Sequence, residues 1–134
     1  MTAVVDASVL VAALVDTETD GRWATAAMSE HRPLVAPELG PAEATNILRR
    51  LEASRQISAP EAAAAHRDLL RLDMDCHPFA PFAERVWALR TNFTCYDAWY
   101  VALAETLAVP LLTLDRRIAR AGGTDCEVIV PPPP

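Results

Sequence analysis

Short β-branched or aliphatic runs alternate along this chain with longer stretches in which apolar residues return every three or four positions. The first run, residues 2–6 (TAVVD), predicts a strand that ends at Asp6. Ala7 to Val15 is too apolar to face water and predicts a buried helix. A polar break from Thr17 to Gly21 precedes a helix over Arg22 to Glu30. Pro33 to Pro37 is a brief strand fenced by prolines, which supply no ladder donor. From Pro41 onward Ala42, Thr45, Ile47, Leu48 and Leu51 recur at helical steps, and Pro41 suits a first turn. Ser58 to Leu72 predicts a second long helix, opened by the capping box Ser58-x-x-Glu61. Asp73 to Phe79 predicts a third strand and Phe82 to Arg90 a helix. Asp97 to Ala108 predicts a helix with few polar faces. Pro110 to Leu114 predicts a strand running into Asp115. A short helix, Arg116 to Ala121, follows and is stopped by Gly122-Gly123 as a C-cap signal. Glu127 to Val130 predicts a last strand, and Pro131 to Pro134 a frayed tail.

Strands that are apolar on both sides, alternating with helices, predict an α/β/α sandwich around a central, mostly parallel sheet. No internal repeat or linker divides the chain, and 134 residues suit one domain, here residues 1–130. The hydrophobic fraction of 51% is high enough to build a core and argues against disorder. No uncharged apolar run approaches the ~20 residues of a membrane span. MTAVVD lacks a basic n-region, so a signal peptide is not expected. Cys76, Cys95 and Cys126 are odd in number and form no C-x-x-C pair, as expected of reduced thiols in the cytoplasm.

The formal net charge is -6, and all 12 basic residues are arginine. Absence of lysine excludes P-loop nucleotide hydrolysis and Schiff-base catalysis. It also weakens a reading as a phosphatase or other metal hydrolase on a similar sheet, which normally sets a lysine beside its aspartates. The acidic balance argues against binding nucleic acid by a broad basic face, but not against binding phosphate through metal ions.

In an open α/β sheet, ligands collect at the carboxyl ends of the strands. Asp6 and Asp115 fall at two such ends. Asp97 opens the apolar helix that precedes the Asp115 strand, and Glu43 lies on the first turn of the helix after the second strand. Each has a plainer reading. Asp6 and Asp115 would N-cap the following helices. Thr94-x-x-Asp97 would be a capping-box variant. Glu43 would complement a helix dipole. Four acids over one edge repel unless a cation sits among them, and carboxylates without nitrogen or sulfur neighbours favour Mg2+ or Mn2+.

These residues stand in motifs that resemble the PIN-domain family. Val5-Asp6-Ala7-Ser8 looks like its opening. Pro37-x-Leu39-x-x-x-Glu43-x-x-Asn46-x-Leu48-Arg49-Arg50 is similar to its central motif, although Gly40-Pro41 interrupts an expected continuous helix. Tyr96-Asp97-Ala98-x-Tyr100-x-Ala102-Leu103-Ala104 and Leu112-Thr113-x-Asp115-x-Arg117 resemble the third and fourth motifs. The likeness spans nearly the whole chain in order, and the length fits the VapC-type toxins of bacterial toxin–antitoxin pairs. The resemblance implies a metal-dependent endoribonuclease. Asp6, Asp97 and Asp115 would bind Mg2+ or Mn2+, with Glu43 completing the catalytic cluster. An activated water would cleave RNA to a 5′-phosphate and a 3′-hydroxyl. It further implies a homodimer, and a cognate VapB-like antitoxin docked in an apolar groove near residues 9–30 and 45–72.

Around the acids, Ser8, Asn46 and Thr113 are expected to orient carboxylates, as outer partners do in metal sites. Local backbone bonding is the simpler role for Thr113. Arg49, Arg116 and Arg117 are expected to hold RNA phosphates bidentately, whereas Arg50 and Arg120 read as solvated. Trp99 and Tyr100 follow Asp97. Stacking on a base is one reading, and core packing is expected for at least one of them. His31, His66 and His77 have no spacing for zinc or acid–base cleavage. The competing class is a non-catalytic PIN-like module that only binds RNA or protein. The presence of all four acids weighs against it.

Overall fold

In the computed structural model, which describes residues 1–134, five short strands form one sheet. They are β1 (Ala3–Val5), β2 (Leu34–Pro37), β3 (Met74–His77), β4 (Leu111–Leu112) and β5 (Val128–Ile129). Their order is β3-β2-β1-β4-β5, and every neighbouring pair is parallel. The helices are α1 (Ala7–Val15), α2 (Thr19–Glu30), α3 (Leu39–Ala53), α4 (Ala59–Arg71), α5 (Ala83–Ala88), α6 (Cys95–Leu107) and α7 (Arg116–Arg120). No helix is long and apolar enough to cross a membrane.

Both faces of the sheet are covered, because side chains alternate along each strand. Ala3, Val5, Leu34 and Leu112 pack against residues of α1 to α4. Val4, Val35 and Leu111 point the other way, onto Phe82, Val86 and α6. This is the expected α/β/α sandwich, with a sheet parallel throughout. The edge strand β3 leaves Asp75 and Cys76 exposed, and a charged edge discourages pairing with other chains.

The capping box forms as expected: Glu61 N–H donates to Ser58 Oγ at 3.2 Å and Ser58 N–H to Glu61 Oε1 at 3.0 Å. Several boundaries move. The polar break is shorter, because α2 takes Thr19 and Asp20 into its first turn. Gly21 then lies directly against the end of α1, where a side chain has no room. Helix α3 starts at Leu39 and absorbs Gly40 and Pro41, so Glu43 lies beyond the first turn where it was expected. Gly40 is buried against the Ala36 β-carbon. Asp97 does not open its helix; Thr94 is the N-cap and its Oγ1 accepts the Asp97 N–H at 3.1 Å. Residues 82–90 are helical only through Ala88, after a 3-10 turn at Ala80–Phe82.

Two expectations at the C-terminal end are overturned. Gly122-Gly123 is no left-handed helix cap; the chain leaves α7 extended at Ala121 (φ -68°, ψ 145°). Side chains hold this loop instead, with Asn92 Nδ2 donating to the Gly122 carbonyl at 2.7 Å and Arg85 to that of Gly123 at 2.8 Å. Nor does the proline tail start frayed. Pro131 is buried, and Arg116 donates to the carbonyls of Pro131 at 2.9 Å and Pro132 at 3.1 Å.

Candidate active site

The strand order reverses between β1 and β4, and such a reversal leaves a crevice beyond the strand ends. Asp6 follows β1 directly. Asp115 lies three residues beyond β4, because Thr113 and Leu114 carry the chain over the edge. Glu43 comes from α3 on one face of the sheet and Asp97 from α6 on the other. The two helices meet above that edge, where the Tyr100 hydroxyl of α6 donates to Glu43 Oε1 at 2.7 Å.

Asp6 does not use its side chain as a helix cap. Its Oδ2 accepts from the Ser8 hydroxyl at 3.0 Å and the Thr113 hydroxyl at 2.7 Å. Thr113 is fully buried, and its Oγ1 also accepts the Asp115 N–H at 3.0 Å. One hydroxyl therefore couples the two strand-end aspartates, and Ser8 and Thr113 both act on Asp6. Asn46 does not join them. It is exposed and accepts from Arg49 Nε at 2.9 Å rather than bonding to Glu43.

The carboxylates sense one another. Burial pushes the Asp6 carboxyl above its ordinary range, and the hydroxyls of Thr113 and Ser8 only partly offset this. Burial likewise raises Glu43; the Tyr100 hydroxyl opposes it, and the charges of Asp6 and Asp97 add to it. Asp97 is raised by burial and then by Asp6 and Asp115. Asp115 runs the other way, held low chiefly by Arg117. That guanidinium pairs with it through Nε at 3.0 Å and Nη2 at 2.7 Å, while the Arg117 N–H also caps onto it at 3.0 Å. The cluster thus contains an arginine that sequence reasoning did not place inside it.

No three acidic, histidine or cysteine side chains stand close enough to enclose an ion as they are. The donor chemistry nonetheless fits a hard dication. All four groups are carboxylates, and burial makes three of them ionise reluctantly.

Of the expected RNA ligands, Arg117 lines a cavity of about 360 Å3 together with Arg90, Asn92, Thr94, Asp97 and Asp115. Arg49 is exposed on α3. Arg116 faces away, its guanidinium committed to the tail carbonyls. Tyr100 is 1% exposed, so it cannot stack on a base. Trp99 lies edge-on to Phe79 at 5.3 Å. Sequence reasoning missed the role of Tyr100. A signal existed, since Tyr100 lies three residues after Asp97 and three-residue steps share a helix face.

Loss of that hydroxyl gives a direct expectation. Tyr100→Phe keeps the packed ring but leaves half-buried Glu43 without its donor. Whatever activity the four acids support is expected to fall roughly 10- to 100-fold, the usual cost of removing such a partner, with little change in melting temperature. Unchanged turnover would show that Glu43 needs no positioning.

The PIN domain family profile matches residues 3–123, a stretch that includes all four acids. The chain belongs to the PIN domain family. Among its PIN relatives, Ribonuclease VapC1 of Mycobacterium tuberculosis is 48% identical over 94 residues, 69% of this chain and 71% of the relative. Ribonuclease VapC9 of the same organism is 36% identical over 129 residues, 96% of this chain and 98% of the relative. In solved structures, a chain of a toxin–antitoxin complex from Klebsiella pneumoniae has the same PIN fold, with a TM-score of 0.67. It covers 97% of this chain and 98% of its own length at 19% identity.

Proposed function

We propose that this PIN domain is an endoribonuclease toxin of the VapC type, cutting RNA phosphodiester bonds with Mg2+ or Mn2+ and restrained by a VapB-like antitoxin. The observation that carries the reading is the gathering of Asp6, Glu43, Asp97 and Asp115 over one sheet edge. The ribonuclease names of its relatives support the reaction class. Asp6, Asp97 and Asp115 would hold the ion, with Glu43 completing the cluster. Held there, such an ion would supply the charge that makes a water nucleophilic at neutral pH and would stabilise the departing oxygen.

The chain's own residues prepare this chemistry. Ser8 and Thr113 pin one oxygen of Asp6, so its carboxylate plane is set before any ligand arrives. Tyr100 fixes Glu43 from the opposite helix layer. Arg117 has an exposed side chain (81%) that grips a carboxylate through two nitrogens, and the same fork fits a phosphate. Arg49, exposed on α3, would meet RNA further along.

A second cavity, about 540 Å3, lies between α1 and α3 and is lined by Val11, Val15, Ile47, Leu51 and Ile57. Asp16, Glu18 and Arg50 also line it, as does Ser8, the partner of Asp6. An apolar antitoxin segment with basic flanks would fill it and reach the edge of the acidic site. The resemblance to a chain from a toxin–antitoxin complex supports such a partner. A homodimer belongs to the same reading and is checked by sedimentation of the purified protein.

Two outcomes test the proposal. Purified protein should cut RNA in Mg2+, leaving 5′-phosphate and 3′-hydroxyl ends, and lose this activity in excess chelator. Cleavage that persists in chelator would contradict the metal mechanism.

Stability should also depend on pH in a defined direction. Carboxyls raised in the fold (Asp6, Glu43 and Asp97) favour the protonated folded state, so their contribution is present at low pH. It is lost as pH rises through the raised values. Asp115 acts oppositely and lower, its contribution vanishing as pH falls through its depressed value. In chelator, the melting temperature should therefore fall as pH rises from the ordinary carboxylate range toward neutrality. Mg2+ should restore it most at the upper end. A profile that is flat in chelator would mean the acids do not strain the fold.

A further inference from the structure

We propose that Arg90 and Trp87 form a substrate platform beside the acids. Arg90 takes an RNA phosphate next to the cut, and Trp87 an adjacent unpaired base. This rests on the ribonuclease reading above and names the part of the substrate that the site grips.

Trp87, near the end of α5, is 63% exposed. The Arg90 guanidinium lies over its ring, 4.3 Å from the centroid, and Arg90 Nη1 donates to the Trp87 carbonyl at 2.8 Å. These two contacts hold a long surface side chain in place, so less freedom is lost when it grips a ligand. Arg90 also lines the cavity that contains Asp97, Asp115 and Arg117. Arg90 thus adds a cation to the wall of a cavity in which Arg117 is already paired with Asp115.

In a chain of net charge -6, most of the surface repels a polyanion. Arg90, which lines the cavity and is bound to no carboxylate, gives the RNA backbone a local attraction beside the acids. The exposed ring extends this patch on the side of Arg90. Every base has a π face, so one exposed tryptophan serves any sequence, provided the base is unpaired. A duplex hides those faces.

The test separates binding from cleavage by using the Asp6→Asn background in chelator. Affinities are measured for a dye-labelled single-stranded RNA and for the same RNA annealed to its complement. Trp87→Ala is expected to weaken single-strand binding roughly 5- to 100-fold, to leave duplex binding nearly unchanged, and to be largely rescued by Trp87→Phe. Arg90→Ala should lower the slope of log affinity against log salt by about 0.7. Melting curves confirm that both exposed substitutions leave the fold intact. If both variants bind single strands as the background does, the platform is overturned while the nuclease reading stands. If Trp87→Ala instead converts a dimer to a monomer at unchanged RNA affinity, the ring belongs to an interface between copies and the proposal also falls. A parent protein that neither binds RNA nor cuts it in Mg2+ removes both readings together.

Discussion

Asp6→Asn is expected to reduce RNA cleavage by about 10²–10³-fold or more while leaving the fold intact. The substitution is nearly isosteric. The amide oxygen still accepts from Ser8 and Thr113, which both converge on Oδ2 in the native protein. What disappears is the negative charge at the centre of the cluster. Removing several kcal/mol of transition-state charge stabilisation corresponds to about this loss, since each 1.36 kcal/mol is about tenfold in rate. Stability should move the other way. Burial already disfavours the ionised Asp6 carboxyl, and its charge raises Glu43 and Asp97 as well. The metal-free variant should therefore melt no lower than the native protein at neutral pH, and its stabilisation by Mg2+ should largely vanish. Single-turnover cleavage and melting curves with and without chelator read both effects. Near-native cleavage by this variant would end the assignment of Asp6 to the reaction.

Gly21→Ala is expected to be the most damaging single substitution for the fold. A β-carbon at Gly21 would overlap the Asp16 backbone carbonyl and stand 2.9 Å from the Ala12 carbonyl oxygen. Backbone atoms cannot rotate aside, so α1 and α2 would have to separate. Overpacking commonly costs about 1–3 kcal/mol when side chains can yield. Here they cannot, and the gain of about 1 kcal/mol from placing alanine in a helix does not compensate. A loss of about 3 kcal/mol or more is expected, a large part of the roughly 5–15 kcal/mol that holds a domain folded. Urea denaturation measures it. The damage would extend to the groove, because Val11, Ala12, Val15 and Asp16 line it. An unchanged or raised denaturation midpoint would show that the α1–α2 junction adapts freely.

Much of the architecture was legible in local patterns. The bounds of α1, the Ser58–Glu61 box and the strand runs around Val4, Val35 and Leu111 follow from periodicity and capping chemistry that span only a few residues. Alternation of strand and helix then left few topologies open, and the parallel sheet is one of them. Asp6, Asp97 and Asp115 were legible near strand ends and helix starts, which are local features, whereas Glu43 proves to lie beyond the first turn of α3. Misplacements arose where a distant contact decided. Gly21 reads as a break until α1 is laid against it. Gly122-Gly123 reads as a helix cap until Asn92 and Arg85 are seen holding the loop.

The sequence by itself determined the elements, their order and the acidic residues at their ends, since hydrophobic period and capping act within a turn or two of the chain. Only the tertiary structure decided which groups those acids meet. Thr113 reaches Asp6 across 107 positions and Tyr100 reaches Glu43 across 57. Asn46 turns to Arg49, Arg116 to the tail, and Arg117 back onto Asp115. Such pairings depend on the packing of whole helices across the sheet and on the rotamers this leaves open, and no local pattern encodes either.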